Sequence, residues 1–190
     1  SSVTRRLFQF WFEEDHILNG NTFKYYFGQR EAVEALIYLF EIEKNRDAKP
    51  LIDSFAEAFK KDMFTYSIEH QTTMDGGRQI KRYFPELDSD GLQDLPPENL
   101  RRYAFKMATG SGKTYVMAMI MVWSYFHRKM VKGSDLPTNF LIVAPNVIVY
   151  QRLEKDFASN KIFYDLPLIP PEWQWNMKVI LRGESTEPDP

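Results

Sequence analysis

A chain of 190 residues with 44% hydrophobic and 15% aromatic side chains can bury a core for one domain or a little more, and is too apolar for a disordered segment. A net charge of −2 excludes a uniformly basic nucleic-acid-binding surface, and the lack of cysteine excludes a disulfide framework and a thiolate metal site. The charged, aromatic opening residues do not read as a signal peptide, so a cytoplasmic protein with no membrane segment is expected.

The first aromatic run holds Phe8, Phe10, Trp11 and Phe12. The alternation of Phe8, Phe10 and Phe12 suits a short strand, and the same residues suit a packing arm equally well. Asn19-Gly20-Asn21 marks a turn. From Gln29 the pattern turns helical, with Val33, Leu36, Ile37 and Phe40 on one face and Glu34, Glu41 and Glu43 elsewhere.

Pro50 introduces a second amphipathic stretch through Ile52, Phe55, Ala56, Phe59 and Met63. Residues 65–73 and 78–84 flank Asp75-Gly76-Gly77, a hairpin pattern. Pro85 and Pro96-Pro97 among several acids make a loop. His70 has no second histidine or carboxylate pair at metal spacing and reads as a surface side chain.

Residues 103–107 are predicted as a first core strand. Lys106-Met107-Ala108-Thr109-Gly110-Ser111-Gly112-Lys113-Thr114 follows, and then an apolar run from Tyr115 to Phe126. Strand, glycine loop and helix in this order form a phosphate-binding device. Gly110 and Gly112 let the backbone curl until successive N–H groups converge, and the helix adds its positive dipole end. Thr109 and Ser111 complete the loop, Lys113 reaches toward β- and γ-phosphates, and the Thr114 hydroxyl suits a magnesium ion. The bland alternative is a Gly-Ser-Gly turn followed by a chance Lys-Thr, and the flanking patterns argue against it.

The helix is predicted from Lys113 to about Val131. Too short at its apolar core to cross a membrane and apolar all round, it belongs in a protein interior. No acidic residue stands between Glu98 and Asp135, whereas Arg101, Arg102, Lys106, Lys113, Arg128, Lys129 and Lys132 do. That excess suits polyphosphate or a nucleic-acid backbone, although the last three are better read as complementing a helix C-terminus.

Phe140 to Ala144 is a continuous apolar run, as in a parallel strand covered on both faces. Pro145-Asn146 leads into a helix predicted over 147–157, in which Arg152 stands four residues before Asp156. Residues 165–175 form a proline- and tryptophan-rich connection, where burial of Trp173 and Trp175 is favoured over stacking on bases. Residues 177–181 read as a third core strand.

The loop departs from the general Walker pattern in having Met107 where a glycine is usual. Met-Ala-Thr-Gly-Ser-Gly-Lys-Thr instead resembles superfamily 2 helicases, most closely the ATPase subunits of type III restriction enzymes. Gly28 to Val33 resembles the helix that opens those ATPase domains, and Leu141 to Asn146 with Gln151 and Phe157 resembles their second block. The resemblance implies an α/β fold: a RecA-like P-loop domain with a parallel sheet flanked by helices, incomplete in this chain. It implies that Gln29 reads adenine, since an amide offers one donor and one acceptor, with Tyr26 or Phe27 nearby and Phe10, Trp11 or Phe12 stacking. It further implies that Pro145, Asn146 and Arg152 touch a phosphodiester backbone, DNA rather than RNA. ATP and Mg2+ are the implied cofactors.

No Asp-Glu pair follows Thr114, so the carboxylates that would position magnesium and water are not in this stretch. The expected organisation is an N-terminal arm with the glutamine helix over 1–44, a family-specific insertion over 45–100 and the first part of the motor core over 101–190. The chain reads as a fragment of an ATP-driven helicase or translocase of a restriction or defence enzyme, inactive alone. Its expected partners are nucleic acid, a second motor domain of the same polypeptide, and a methyltransferase or specificity subunit. The rival readings are a nucleotide-binding assembly module that does not hydrolyse, and a plain P-loop kinase or transporter ATPase.

Overall fold

The computed structural model describes residues 1–43, 68–72, 74, 78–83 and 103–181. The helix expected over 52–63, the turn at 75–77, the loop through Pro96-Pro97, and Arg101 and Arg102 lie outside them. The chain forms two compact units, residues 1–34 with 106–190, and residues 35–105.

The first unit starts with α1 (Ser2–Phe8), whose opening amide at Thr4 donates to the Ser1 hydroxyl at 3.2 Å. A single π-helical turn, Gln9–Glu13, continues it. Val3, Leu7, Phe10 and Trp11 are buried. Their spacing is helical, and it outweighs the alternation of Phe8, Phe10 and Phe12, so the strand alternative is corrected to a helical packing arm. Trp123 Nε1 donates to Thr4 Oγ1 at 2.9 Å, and Trp11 Nε1 donates to the Leu168 carbonyl at 2.8 Å. These two indoles tie the arm to the body.

β1 (His16–Leu18) and β2 (Asn21–Phe23) pair as an antiparallel hairpin. Asn19 and Gly20 both have positive φ, 51° and 78°, the two-residue turn whose twist suits a hairpin. Tyr25 follows, buried, its hydroxyl donating to the Pro167 carbonyl at 3.2 Å. Burial, with a smaller contribution from Tyr115, pushes its phenol far above the ordinary range. α2 (Phe27–Glu41) buries Gln29, Val33 and Ile37 along one stripe.

α3 (Lys113–Met130) is the core helix, and every residue from Met121 to His127 is buried. Its polar members are satisfied: Ser124 Oγ donates to the Pro137 carbonyl at 2.7 Å, and His127 Nδ1 lies 2.7 Å from Ser134 Oγ. Among the described residues no helix is long and apolar enough to cross a membrane. Trp173 packs on Phe126 at 4.6 Å between ring centroids, and Trp175 on Tyr125 at 4.7 Å and on Phe163 at 4.5 Å. These rings are used for packing, as their composition suggested.

α4 (Val147–Phe157) occupies the predicted span, and a kink with left-handed Ser159 and Asn160 leads into a short α5 (Lys161–Asp165) that the sequence did not suggest. The three segments predicted as core strands form no ladder among the described residues, where every sheet is an antiparallel hairpin. Two of them nevertheless keep a strand's period. From Leu136 to Ala144, and from Trp173 to Leu181, half-buried and exposed residues alternate without a break. Leu141 and Val143 are 89% and 76% exposed, so the face expected to be covered is open.

In the second unit, β3 (Ile68–Thr72) pairs antiparallel with β4 (Arg78–Tyr83), with a bulge between Glu69 and His70. The hairpin expected from residues 65–73 and 78–84 is therefore present. Residues 103–105 carry no regular structure.

Candidate nucleotide-binding site

The loop ahead of α3 takes the shape its glycines permit. Gly110 and Gly112 sit at φ 79° and 80°, left-handed conformations that cost a residue with a Cβ about 1–2 kcal/mol. The Ala108 carbonyl is the loop's internal anchor. It accepts from the Ser111 amide at 3.3 Å, the Ser111 hydroxyl at 2.7 Å and Lys113 Nζ at 2.6 Å. Tyr115 and Val116 amides return to the Gly112 carbonyl at 2.9 and 3.2 Å, which starts α3.

The amides of Gly110, Gly112, Lys113 and Thr114 donate to no protein acceptor among the described residues. Four unspent donors at a helix start, in a chain that curls through two left-handed glycines, are the geometry of an anion-binding nest. Lys113 is exposed and bonded only within the loop, free to turn toward a phosphate. Thr109 is exposed at the turn, and Thr114 lies half-buried at the first turn of α3. The residues present thus fit a triphosphate. For magnesium they offer the Thr114 hydroxyl, and among the described residues no cluster of three acidic or histidine side chains joins it.

Gln29 is brought to this loop, 1% exposed. Its Nε2 donates to the Ser111 carbonyl at 3.0 Å, and its Oε1 accepts from the Tyr26 amide at 2.9 Å. Neither bond was anticipated from the sequence, and the adenine contact stays what the resemblance implies. The available signal was the position of Gln29 four residues before Val33, on the buried stripe of α2, where an amide must find partners. Of the aromatics considered for stacking, Phe10 and Trp11 are 5% and 1% exposed and belong to the core. Phe12 is half-buried, with the Arg30 guanidinium 5.5 Å from its ring centre. Tyr26 and Phe27 are 69% and 75% exposed beside Gln29.

Pro145 and Asn146 are exposed ahead of α4. Asn146 Oδ1 accepts from the Val149 amide at 3.0 Å, so its oxygen serves as the helix cap. Arg152 is exposed and forms no ion pair with Asp156 or any other described residue. No hydrogen bond joins these three residues to the glycine loop among the described residues. Lys129 sits 4.5 Å over the Tyr125 ring in the last turn of α3, consistent with the helix-end role of that basic group. A cavity of about 460 Å3 lined by Phe10, Phe163, Pro170, Trp173 and Trp175 shares no residue with the loop and has no charged lining, so it is no phosphate site.

The family model of the type III restriction enzyme res subunit matches residues 22–178, from β2 past Gln29 and the glycine loop to the last extended segment. The chain belongs to that family. Its members are superfamily 2 helicase-like ATPases with a RecA-like P-loop domain, generally using ATP with a divalent metal. No curated protein and no solved structure matches the chain. A parallel sheet through residues 103–107, 140–144 and 177–181 is what the family implies, and the ladders among the described residues do not include it.

Proposed function

We propose that this chain is the opening part of the ATP-driven motor of a DNA helicase or translocase that serves a cytoplasmic restriction or defence endonuclease. The observation that carries the reading is the set of unspent amides at Gly110, Gly112, Lys113 and Thr114 beside an exposed lysine. Those amides hold the phosphates of ATP. Lys113 exchanges the Ala108 carbonyl for the β- and γ-phosphates and offsets their charge, and Thr109 and Ser111 shape the turn. The Thr114 hydroxyl would hold Mg2+, which when bound would offset negative charge on the phosphate oxygens. Asn146 Nδ2, the first-turn amides of α4 after Pro145, and Arg152 take DNA phosphates. A second motor domain of the same polypeptide supplies the other wall of the cleft, and a methyltransferase or specificity subunit directs the motor.

No Asp-Glu pair follows Thr114, so water activation falls to residues outside this chain, which by itself binds nucleotide and turns it over negligibly. Calorimetric titration with MgATP should show binding that Lys113→Ala weakens by roughly tenfold to a hundredfold, the worth of one charge-assisted hydrogen bond. Equal affinity in the two proteins would remove the nucleotide site. A steady-state ATPase abolished by Lys113→Ala would instead place hydrolysis within these residues.

A further inference from the structure

We propose that the cavity between the opening helical arm and the proline- and tryptophan-rich segment binds a proline-rich peptide of a partner protein, held in the polyproline II conformation. About 460 Å3 in volume, it falls within the roughly 300–1,000 Å3 of ordinary ligand pockets. Phe10 of the π-helical turn, Phe163 and Tyr164 of α5, and Pro170, Trp173 and Trp175 form its walls. Those walls are set before any partner arrives. Trp11 Nε1 donates to the Leu168 carbonyl, the Tyr25 hydroxyl to the Pro167 carbonyl and the Arg6 guanidinium to Glu172, which pins the segment at both ends. A preformed groove loses little freedom on binding.

The polar atoms say what fits. Of the chain's four tryptophans, Trp11 and Trp123 donate their indole N–H to protein acceptors, the Leu168 carbonyl and Thr4 Oγ1. The two that line the cavity do not. Trp175 Nε1 is buried without a partner, and Trp173 Nε1 and the Tyr164 hydroxyl donate to nothing among the described residues. Buried donors are rarely left in that state. The lining thus holds ring faces and donors, with no carboxylate, amide or charged side chain. A proline-rich segment is its complement: apolar rings, carbonyls that accept, and no proline N–H in need of an acceptor. The fixed φ of proline also lowers the entropy lost on docking. Aromatic-lined grooves take such segments in this way. A nucleic-acid strand suits the cavity less, because its phosphates would meet no basic residue in the lining. Neighbouring acids are already paired, Glu172 with Arg6 and Asp165 with Lys161.

The test is calorimetric titration of the whole chain with acetylated, amidated decaproline, with a glycine–serine peptide of equal length as control. Decaproline should bind and the control should not. Trp173→Phe keeps a ring and removes one N–H, and should weaken decaproline about tenfold, the worth of one hydrogen bond. Tyr164 is 69% exposed, so Tyr164→Ala keeps the fold even if the tryptophan variant does not, and should weaken binding by about threefold to tenfold. Melting followed by circular dichroism shows which variants are folded. A tenfold rise in salt should change the affinity by less than about twofold, since no unpaired charge takes part. Absence of decaproline binding, or equal affinity in the folded variants and the unmodified chain, overturns the proposal. Binding of oligothymidine that falls steeply with salt and is weakened by the same substitutions overturns it in favour of a nucleic-acid contact.

Discussion

Alanine at Gly112 should cost far more than alanine at Gly110, although the two glycines have nearly the same backbone angles. Both lie in the left-handed region, φ 79° at Gly110 and 80° at Gly112, so each substitution carries about 1–2 kcal/mol of backbone strain. At Gly110 nothing lies within 4 Å of the new methyl, and that strain is the whole cost. At Gly112 the methyl would stand 2.1 Å from Gln29 Nε2 and 3.2 Å from Gln29 Cδ. Gln29 must withdraw, which breaks its bond to the Ser111 carbonyl in a buried setting and adds about 1–3 kcal/mol. The totals are therefore about 1–2 kcal/mol at Gly110 and about 2–5 kcal/mol at Gly112. Thermal unfolding reads the difference, since a chain of this size loses about 2–4 °C per kcal/mol. A double-mutant cycle makes the cause visible: in a Gln29→Ala background, Gly112→Ala should fall back toward the cost at Gly110, a coupling of about 1–3 kcal/mol. Equal costs at the two glycines, or strict additivity in the cycle, would show that Gln29 does not occupy the space over Gly112.

Trp11→Phe keeps an aromatic ring in place but strands the Leu168 carbonyl, and should lower stability by about 1–3 kcal/mol, seen as a lower urea midpoint at unchanged slope. Tyr25 holds its proton in the folded chain well above the pH at which an unfolded tyrosine releases it. The unfolded state then binds fewer protons, so stability should be fully present below about pH 10 and fall as pH rises beyond it. Tyr25→Phe should flatten that alkaline decline while losing the bond to the Pro167 carbonyl, and an unaltered alkaline slope would count against burial of the phenol.

Sequence periodicity revealed the elements whose stability is local. α3 and α4 begin at Lys113 and Val147, where the left-handed Gly112 and the capping Asn146 place them, and both starts are written in residue types with a known backbone role. The Asn19-Gly20 turn was legible for the same reason. The opening arm was not, because three alternating phenylalanines compete with a helical stripe through Val3, Leu7, Phe10 and Trp11, and only packing against Trp123 and Leu168 decides between them. The site divides in the same way. Glycines, lysine and threonine announced a phosphate loop. The bond from Gln29 to the Ser111 carbonyl was hidden, because it joins a side chain to a backbone atom 82 residues away, and no pattern of residue types records that.

The extended segments expose a conflict between pattern and packing that a pair of substitutions can resolve. Phe140 to Ala144 is apolar at every position, the composition of a strand covered on both faces, yet Leu141 and Val143 are 89% and 76% exposed while Phe140, Ile142 and Ala144 are half-buried. An apolar residue that exposed contributes little to stability, because its hydrophobic surface is not removed from water. Leu141→Ser and Val143→Ser should each change stability by less than about 0.5 kcal/mol in this chain. A strand inside a complete parallel sheet behaves otherwise, since polar replacement of a buried leucine costs about 2–5 kcal/mol. Small effects in residues 1–190 therefore identify a segment with one face packed and its ladder unformed. Losses of several kcal/mol would mean that the sheet implied by the family is already assembled around Leu141 and Val143, and that the open face described above is wrong.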